Sequence, residues 1–300
     1  MAGILGLIGS ARAWGNGELL VRQVIAGAME EGTGGQLLRL TDLSIERCTG
    51  CLRCALGRTP CPLDDDLYWL LDTMAAAEGL VLSAPTYFLG PSAAIKLVLD
   101  RLLVLAGRQE EALPVARPAV TVATAGLEAW RGLVVPYLNA LAAATGFRPI
   151  ESLLAVAPGP GEALLDDDLM ERARTAGRRL GRGEIEPTPA PPNVCPTCRS
   201  DAFVLEGDSV TCPICGQRAS VSLLDGKLAL HFEPQTEAEQ RWSREGLQRH
   251  IEDWVVATGP RFLAHRQEIR TRRAPFRQME LEWLVPPHRG NSEERSTRPT

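Results

Sequence analysis

Short, nearly continuous apolar runs alternate with longer amphipathic segments over the first 180 or so residues. The runs fall at residues 3–8, 36–40, 79–83, 119–123 and about 150–156, and they lack the two-residue alternation of a half-exposed strand. That pattern predicts five parallel strands buried on both faces. Helices are predicted over about 16–31, 66–77, 92–106, 127–145 and 164–180, each entered through a polar or Gly/Pro turn. Strand–helix alternation with right-handed crossovers makes the fold class α/β, a doubly wound five-stranded parallel sheet over residues 1–183.

The pattern then breaks. Residues 184–193 hold Pro187, Pro189, Pro191 and Pro192 and predict an extended spacer, hence a domain boundary. Residues 194–234 form a second, smaller unit with β-like pieces at 209–211 and 228–232. Residues 235–285 turn helical, and Trp242, Leu247, Ile251, Trp254 and Val255 are spaced to share one helix face. Such a stripe predicts docking on the rest of the protein or on a second subunit. Residues 286–300 read as a flexible tail.

With 45% hydrophobic and 23% charged residues the chain is neither disordered nor a disulfide miniprotein. The formal net charge of -5 argues against a nucleic-acid binder, whose affinity comes from basic residues on phosphates. No apolar run reaches the roughly 18 residues of a membrane helix, and the N-terminus lacks a basic leader, so a cytoplasmic protein is expected.

All eight cysteines fall in two sets of four, which in a reducing compartment points to metal ligands before disulfides. Cys48, Cys51, Cys54 and Cys61 lie in a segment broken by Gly50, Gly57 and Pro60. Two successive x2 spacings supply three thiolates close together, which suits a 4Fe-4S cluster better than zinc; a set without metal stays open. The adjoining Asp64, Asp65 and Asp66 read as the cap and first turn of the next helix. Cys195, Cys198, Cys212 and Cys215 form two Cys-x2-Cys knuckles, with Gly216 after the second. Four thiolates on one ion favour zinc over a rubredoxin-like iron. His231, His250, His265 and His288 read as surface or packing residues.

The first strand ends in Gly9-Ser10-Ala11-Arg12, and a helix starts at or just after Asn16. Hydroxyl, guanidinium and amide groups thus meet free N–H groups at the positive end of a helix, a phosphate cradle in chemical terms. Neither Gly-x-Gly-x-x-Gly nor Gly-Lys-Ser/Thr follows the strand, so the dinucleotide and Walker loops are excluded. Tyr87 and Phe88 could line a ligand or cap the sheet edge as packing residues.

Gly9-Ser10-Ala11-Arg12 with Asn16, then the run from Ala84 to Ser92 leading into Lys96, Asp100 and Arg101, resembles the flavodoxin-like NAD(P)H-dependent FMN reductases over about residues 3–180. The first cysteine set narrows the resemblance to the iron-sulfur flavoproteins, and the second set resembles a zinc ribbon. The resemblance implies that Ser10, Arg12, Asn16 and Gly17 hold the FMN phosphate, that Pro85, Thr86, Tyr87, Phe88 and Gly90 line the isoalloxazine ring, and that Thr124, Ala125 and Gly126 form a third loop. Ala11 and Gly17 depart from the family's usual Pro and Thr.

The implied function is a flavin-dependent oxidoreductase passing electrons between FMN and a 4Fe-4S cluster, with zinc in the ribbon. NAD(P)H or a ferredoxin would donate, in a homo-oligomer. Two alternatives stand beside it: an NAD(P)H-dependent FMN or quinone reductase without a cluster, and a non-catalytic redox sensor or adaptor.

Overall fold

The computed structural model describes residues 3–107, 116–236, 239–281 and 284; the tail expected at 286–300, with His288, lies outside the described residues. In chain order the first half runs β1 (Ile4–Ile8), α1 (Asn16–Glu30), β2 (Gly35–Arg39), α2 (Arg53–Leu56), α3 (Leu67–Ala76), β3 (Gly79–Tyr87), β4 (Gly90–Pro91), α4 (Ala93–Arg101), β5 (Arg117–Ala125), α5 (Val134–Ala144), β6 (Phe147–Val156) and α6 (Asp167–Gly181). The five long strands pair in parallel in the order β2-β1-β3-β5-β6, and β4 folds back antiparallel on β3. Strand order reverses beside β1, so the ligand crevice of such a sheet lies outside the carboxyl ends of β1 and β3.

Each face of the sheet carries its own core. Leu20, Val24 and Ile25 of α1 pack with Ala173, Ala176 and Leu180 of α6 on one face. Leu70 and Met74 of α3, Val98 of α4 and Leu138 and Leu141 of α5 cover the other. The α1–α6 crossing is tight: a Cβ on Gly177 would stand 1.9 Å from the Val24 carbonyl oxygen, so glycine is required there.

Two helices are shorter than their apolar pattern suggests. α4 gives way after Arg101 to a 3₁₀ stretch over Leu102–Gly107. α5 starts at Val134 rather than near 127, because Gly132 takes a positive φ of 53° and presses on the Leu89 carbonyl. α6 begins three residues later than its pattern, where the Asp166 carboxylate caps the Leu169 N–H at 2.9 Å.

Residues 184–193 form no regular element, yet the Thr188 N–H donates to the Ile150 carbonyl at 2.9 Å and ties the segment to β6. Then come β7 (Val204–Glu206), β8 (Ser209–Thr211), β9 (Arg218–Leu224) and β10 (Lys227–Phe232), an antiparallel sheet in the order β10-β9-β8-β7. Next is α7 (Arg244–His250), continued by a π-helical turn over Ile251–Val256, and last α8 (Thr258–Arg277). Residues up to Val256 gather into one compact unit, and the chain from Ala257 makes a second.

The expected stripe on one face of a C-terminal helix does not form. Trp242 precedes α7 and packs against the second cysteine set, and Trp254 is 63% exposed. The π turn changes the angular step per residue, so a 3.6-residue spacing no longer aligns the stripe. No described helix is long and apolar enough to cross a membrane.

Candidate functional site

β1 ends at Ile8, opposite Ser83 of β3, and the Gly9 N–H donates to the Ser83 carbonyl at 2.8 Å. The loop that follows is held from beneath. Buried Glu18, in the first turn of α1, accepts from the Trp14 N–H at 3.0 Å, from Arg22 Nη2 at 2.9 Å and from Arg39 Nη2 at 2.8 Å. Arg39 also donates through Nη1 to the Ser10 and Arg12 carbonyls. Burial alone would raise the Glu18 pKa, but the hydrogen bonds from Arg39, Arg22 and Trp14 outweigh it and hold the carboxyl below its ordinary 4.5.

This lock leaves Arg12 exposed, with no acidic partner among the described residues. The Ser10 hydroxyl accepts from the Arg12 N–H at 3.2 Å. Asn16 behaves differently from an anion ligand. Its amide donates to the Ala157 and Gly159 carbonyls and accepts from the Ala163 N–H, so what it can offer a phosphate is its backbone N–H in the first turn of α1. Gly17 lies under the same crevice, where a Cβ would stand 3.3 Å from Ser83 Oγ and 3.8 Å from Thr124.

Pro85 of β3 pairs in register with Thr124 of β5, so the second and third loops leave the sheet side by side. Thr124 and Ala125 are buried strand residues, and Gly126 opens the exposed loop. Thr86 Oγ1 donates to the Arg131 carbonyl at 3.3 Å. Tyr87 pairs with Gly90 across a two-residue turn in which Phe88 and Leu89 have φ of 48° and 67°. Tyr87 is 59% and Phe88 94% exposed, so neither caps the sheet edge by packing. Trp14 of the first loop and Leu127 and Trp130 of the third are exposed as well.

The first cysteine set follows β2. Its four residues line one cavity together with Leu52, Leu63 and Arg101. Among the described residues, only the second set brings its ligand atoms within 4.8 Å of one another. Cys48 and Cys51 are exposed, Cys54 and Cys61 half-buried. The Arg53 N–H lowers the pKa of the Cys51 thiol, and burial raises that of Cys54.

Asp66 stands at the N-cap position of α3, but its carboxylate makes no cap hydrogen bond and turns instead to the cysteine loop. Asp66 accepts from the Ser44 N–H at 2.7 Å and Asp65 from the Glu46 N–H at 2.8 Å, so they clasp the entry and exit of the loop. Asp65 also accepts from Leu67 N–H, and its carboxylate pairs with Arg101 in full burial. Arg101 Nη2 lies 3.4 Å from Cys61 Sγ, and its Nε is buried with no protein partner. An orphaned cationic donor beside four thiols is what a bound anionic cluster would satisfy.

In the second set the Cys195 and Cys215 sulfurs lie 3.5 Å apart, as do those of Cys198 and Cys212. The knuckles are equivalent: Arg199 N–H returns to the Cys195 carbonyl and Gly216 N–H to that of Cys212. Gly216 has φ 79°, and Arg199 takes φ 59° in the matching place. A buried guanidinium donating to the Thr188 carbonyl at 2.5 Å holds Arg199 there. Mutual hydrogen bonds draw the Cys195 and Cys212 thiols down and push Cys198 and Cys215 up, a conflict that one bound cation would remove. Asp201, just beyond, pairs with Arg131 of the third loop.

Glu18, Arg39, Ser83 and the Asp201–Arg131 pair are site features that the sequence pattern did not single out. Glu18 has a local signal, an acidic residue at the third position of a helix entered from a polar loop. The others have none, since their partners lie far away in the chain.

Comparison with known proteins agrees with this geometry. The family model described as NADPH-dependent FMN reductase matches residues 2–159. An iron-sulfur flavoprotein of Methanocaldococcus jannaschii is 38% identical over 98 residues, 33% of this chain and 50% of that protein, so the matched stretch spans half the relative's length. An iron-sulfur flavoprotein of Archaeoglobus fulgidus is 24% identical over 176 residues, 59% of this chain and 77% of its own. A solved flavone reductase superposes with a TM-score of 0.73 at 21% identity, covering 94% of this chain and 99% of that one, which extends the shared fold beyond the parallel sheet. On the strength of the match from residue 2 to 159, the chain belongs to the NADPH-dependent FMN reductase family.

Proposed function

We propose that the protein is a flavin-dependent oxidoreductase in which FMN on the β1, β3 and β5 loops exchanges electrons with a 4Fe-4S cluster held by Cys48, Cys51, Cys54 and Cys61. The observation that carries it is the placement of α4. Its first turn follows the loop of Tyr87, Phe88 and Gly90, and its last residue, Arg101, touches Cys61. Nine helical residues span about 13 Å, so one rigid rod separates the two sites.

Ser10, Arg12 and the N–H groups at the start of α1 would bind the phosphate, with Asn16 and Glu18 setting the loop's shape. Pro85, Thr86, Tyr87, Phe88 and Gly90 would line the ring, and Thr124, Ala125 and Gly126 would form the third loop. When bound, FMN accepts electrons in pairs and passes them singly, and the cluster moves one at a time. The donor is NAD(P)H or a ferredoxin, and the working form a homo-oligomer. Cys195, Cys198, Cys212 and Cys215 hold zinc in a structural module after the 184–193 spacer.

Anaerobic purification with iron, sulfide, zinc and flavin analysis tests this. Brown protein with four iron and four sulfide per chain, FMN and one zinc supports it. Yellow protein with zinc alone moves the reading to an FMN or quinone reductase without a cluster, a reading that the exposure of Cys48 and Cys51 favours. Protein that takes up no flavin overturns the enzyme reading in favour of a sensor or adaptor.

A further inference from the structure

Arg101 is 1% exposed, and its side chain reaches three groups. Nη1 donates to the Glu46 carbonyl at 2.9 Å and to the Asp65 carboxylate; Nη2 lies 3.4 Å from both Asp65 Oδ1 and Cys61 Sγ. Asp65 is fixed in turn by the N–H groups of Glu46 and Leu67. Burial would raise the Asp65 pKa, and its hydrogen bonds, led by that from Arg101, hold it below the ordinary 3.8.

A buried ion pair is a costly way to join a loop to a helix, because two apolar side chains of similar volume serve as well or better. This pair does something apolar residues cannot. It fixes a permanent cation on the wall of the cysteine cavity, with one N–H on a thiol sulfur and another, Nε, buried without a protein partner. A cluster bound by four thiolates is anionic and gains a further negative charge on reduction. A fixed donor and positive charge beside it favour the reduced form.

We infer that Arg101, oriented by Asp65, sets the reduction potential of the group held by the first cysteine set, holding it above the value that the four thiolates alone would give. Arg101 contacts a ligand sulfur and is a tuning residue; Asp65 is a positioning residue that also opposes it. The inference rests on the cluster reading above and extends it.

The test is a redox titration of reconstituted full-length protein, poised with dithionite and mediators and followed by electron paramagnetic resonance. Arg101→Gln lowers the reduction equilibrium constant about tenfold, a shift of about 59 mV downward for one electron. Asp65→Asn removes the opposing charge and moves the potential upward. Arg101→Lys, which keeps the charge without the fork, falls between wild type and Arg101→Gln.

Opposite signs for Arg101→Gln and Asp65→Asn are the signature, because a merely structural role would lower cluster content in both and shift neither. Should Arg101→Gln fail to fold around its unpaired carboxylate, the comparison passes to Arg101→Lys and to the double variant Arg101→Gln/Asp65→Asn. The double variant leaves no lone buried charge and retains the downward shift from the lost sulfur bond. Cluster-loaded variants that all titrate with the wild type overturn this inference alone. Wild-type protein that cannot be loaded with iron and sulfide overturns it together with the cluster reading.

Discussion

Replacing Glu18 with Gln removes one charge from beneath the phosphate cradle and changes little in volume. The Glu18 side chain is 4% and that of Arg39 19% exposed, so their 2.8 Å contact is a largely desolvated, charge-assisted bond of about 1.5–3 kcal/mol. Arg22 is 44% exposed, and its share is discounted to about 0.5 kcal/mol for solvent screening. The Trp14 N–H keeps an acceptor in the Gln carbonyl. The sum is about 2–3.5 kcal/mol, and at 1.4 kcal/mol per decade its full expression in loop order predicts an FMN Kd raised roughly 30–300-fold. Flavin fluorescence quenching on titration of the apoprotein measures it, and a thermal melt shows how much of the loss is global. Arg22→Gln serves as control, with an expected rise under about threefold. A Glu18→Gln variant that folds normally and binds FMN within about twofold of wild type would refute the assignment of Glu18 and Arg39 as the loop's lock.

The same carboxyls give the pH dependence its sign. Glu18 and Asp65 have folded pKa values below their ordinary 4.5 and 3.8, so both stabilise the fold at neutral pH and lose that contribution as pH falls from about 4.5 through the folded values. Melting temperature scanned from pH 7 to 3 should drop in that window, with a shallower slope in Glu18→Gln; a flat profile counts against it. Cys212→Ser should abolish zinc binding and raise the FMN Kd several-fold, because Asp201 then releases Arg131, whose carbonyl holds Thr86; metal analysis and flavin titration on one sample decide, and unchanged affinity would sever the module from the flavin loops. Phe88→Asn with Leu89→Gly should stabilise the apoprotein by about 1 kcal/mol, since these residues suit a type I′ turn, while weakening FMN binding. An FMN Kd unchanged from wild type would show that Phe88 has no role in the site.

The five strands of the parallel sheet were legible because a strand buried on both faces must be apolar throughout: the predicted runs at 3–8, 36–40, 79–83, 119–123 and about 150–156 fall on the five observed strands, overrunning β1 by Gly3 and β2 by Leu40. The small antiparallel sheet was legible only in part. β7 and β9 went unread, since Val204–Glu206 is wholly exposed and Arg218–Leu224 buries only the small Ala219 among exposed and half-buried positions, leaving weak periodicity. The cradle could be located from Ser10 to Gly17, but the task of each side chain could not. Asn16 looked like a phosphate ligand because amides bind phosphates, and only the fold brings Ala157, Gly159 and Ala163 against it. The spacer predicts a module free of the flavin domain, whereas contacts from Thr188, Arg199 and Asp201 tie its two ends down.

Backbone strain is distributed in a way that composition does not explain. Among the described residues, eight non-glycine residues have left-handed φ: Trp14 on the cradle, Leu52 and Arg58 in the cysteine loop, Phe88 and Leu89 in the β3–β4 turn, and Asn193, Arg199 and Asp225 beyond the parallel sheet. Each such placement costs a side-chain-bearing residue about 1–2 kcal/mol and persists only where neighbours over-determine it. Trp14 is held by its N–H on Glu18 and by the Arg22 guanidinium 4.7 Å above its ring. Leu52 accepts from the Ala55 and Leu56 N–H groups, and Leu89 from that of Leu133. Phe88 is the exception, strained at φ 48° and 94% exposed, with a ring that earns nothing from burial in the protein itself. Were the turn there only to reverse the chain, Asn-Gly would make it with less strain. A bulky ring kept in that place is accounted for by a planar partner that arrives from outside the chain, which is the role the flavin reading gives it.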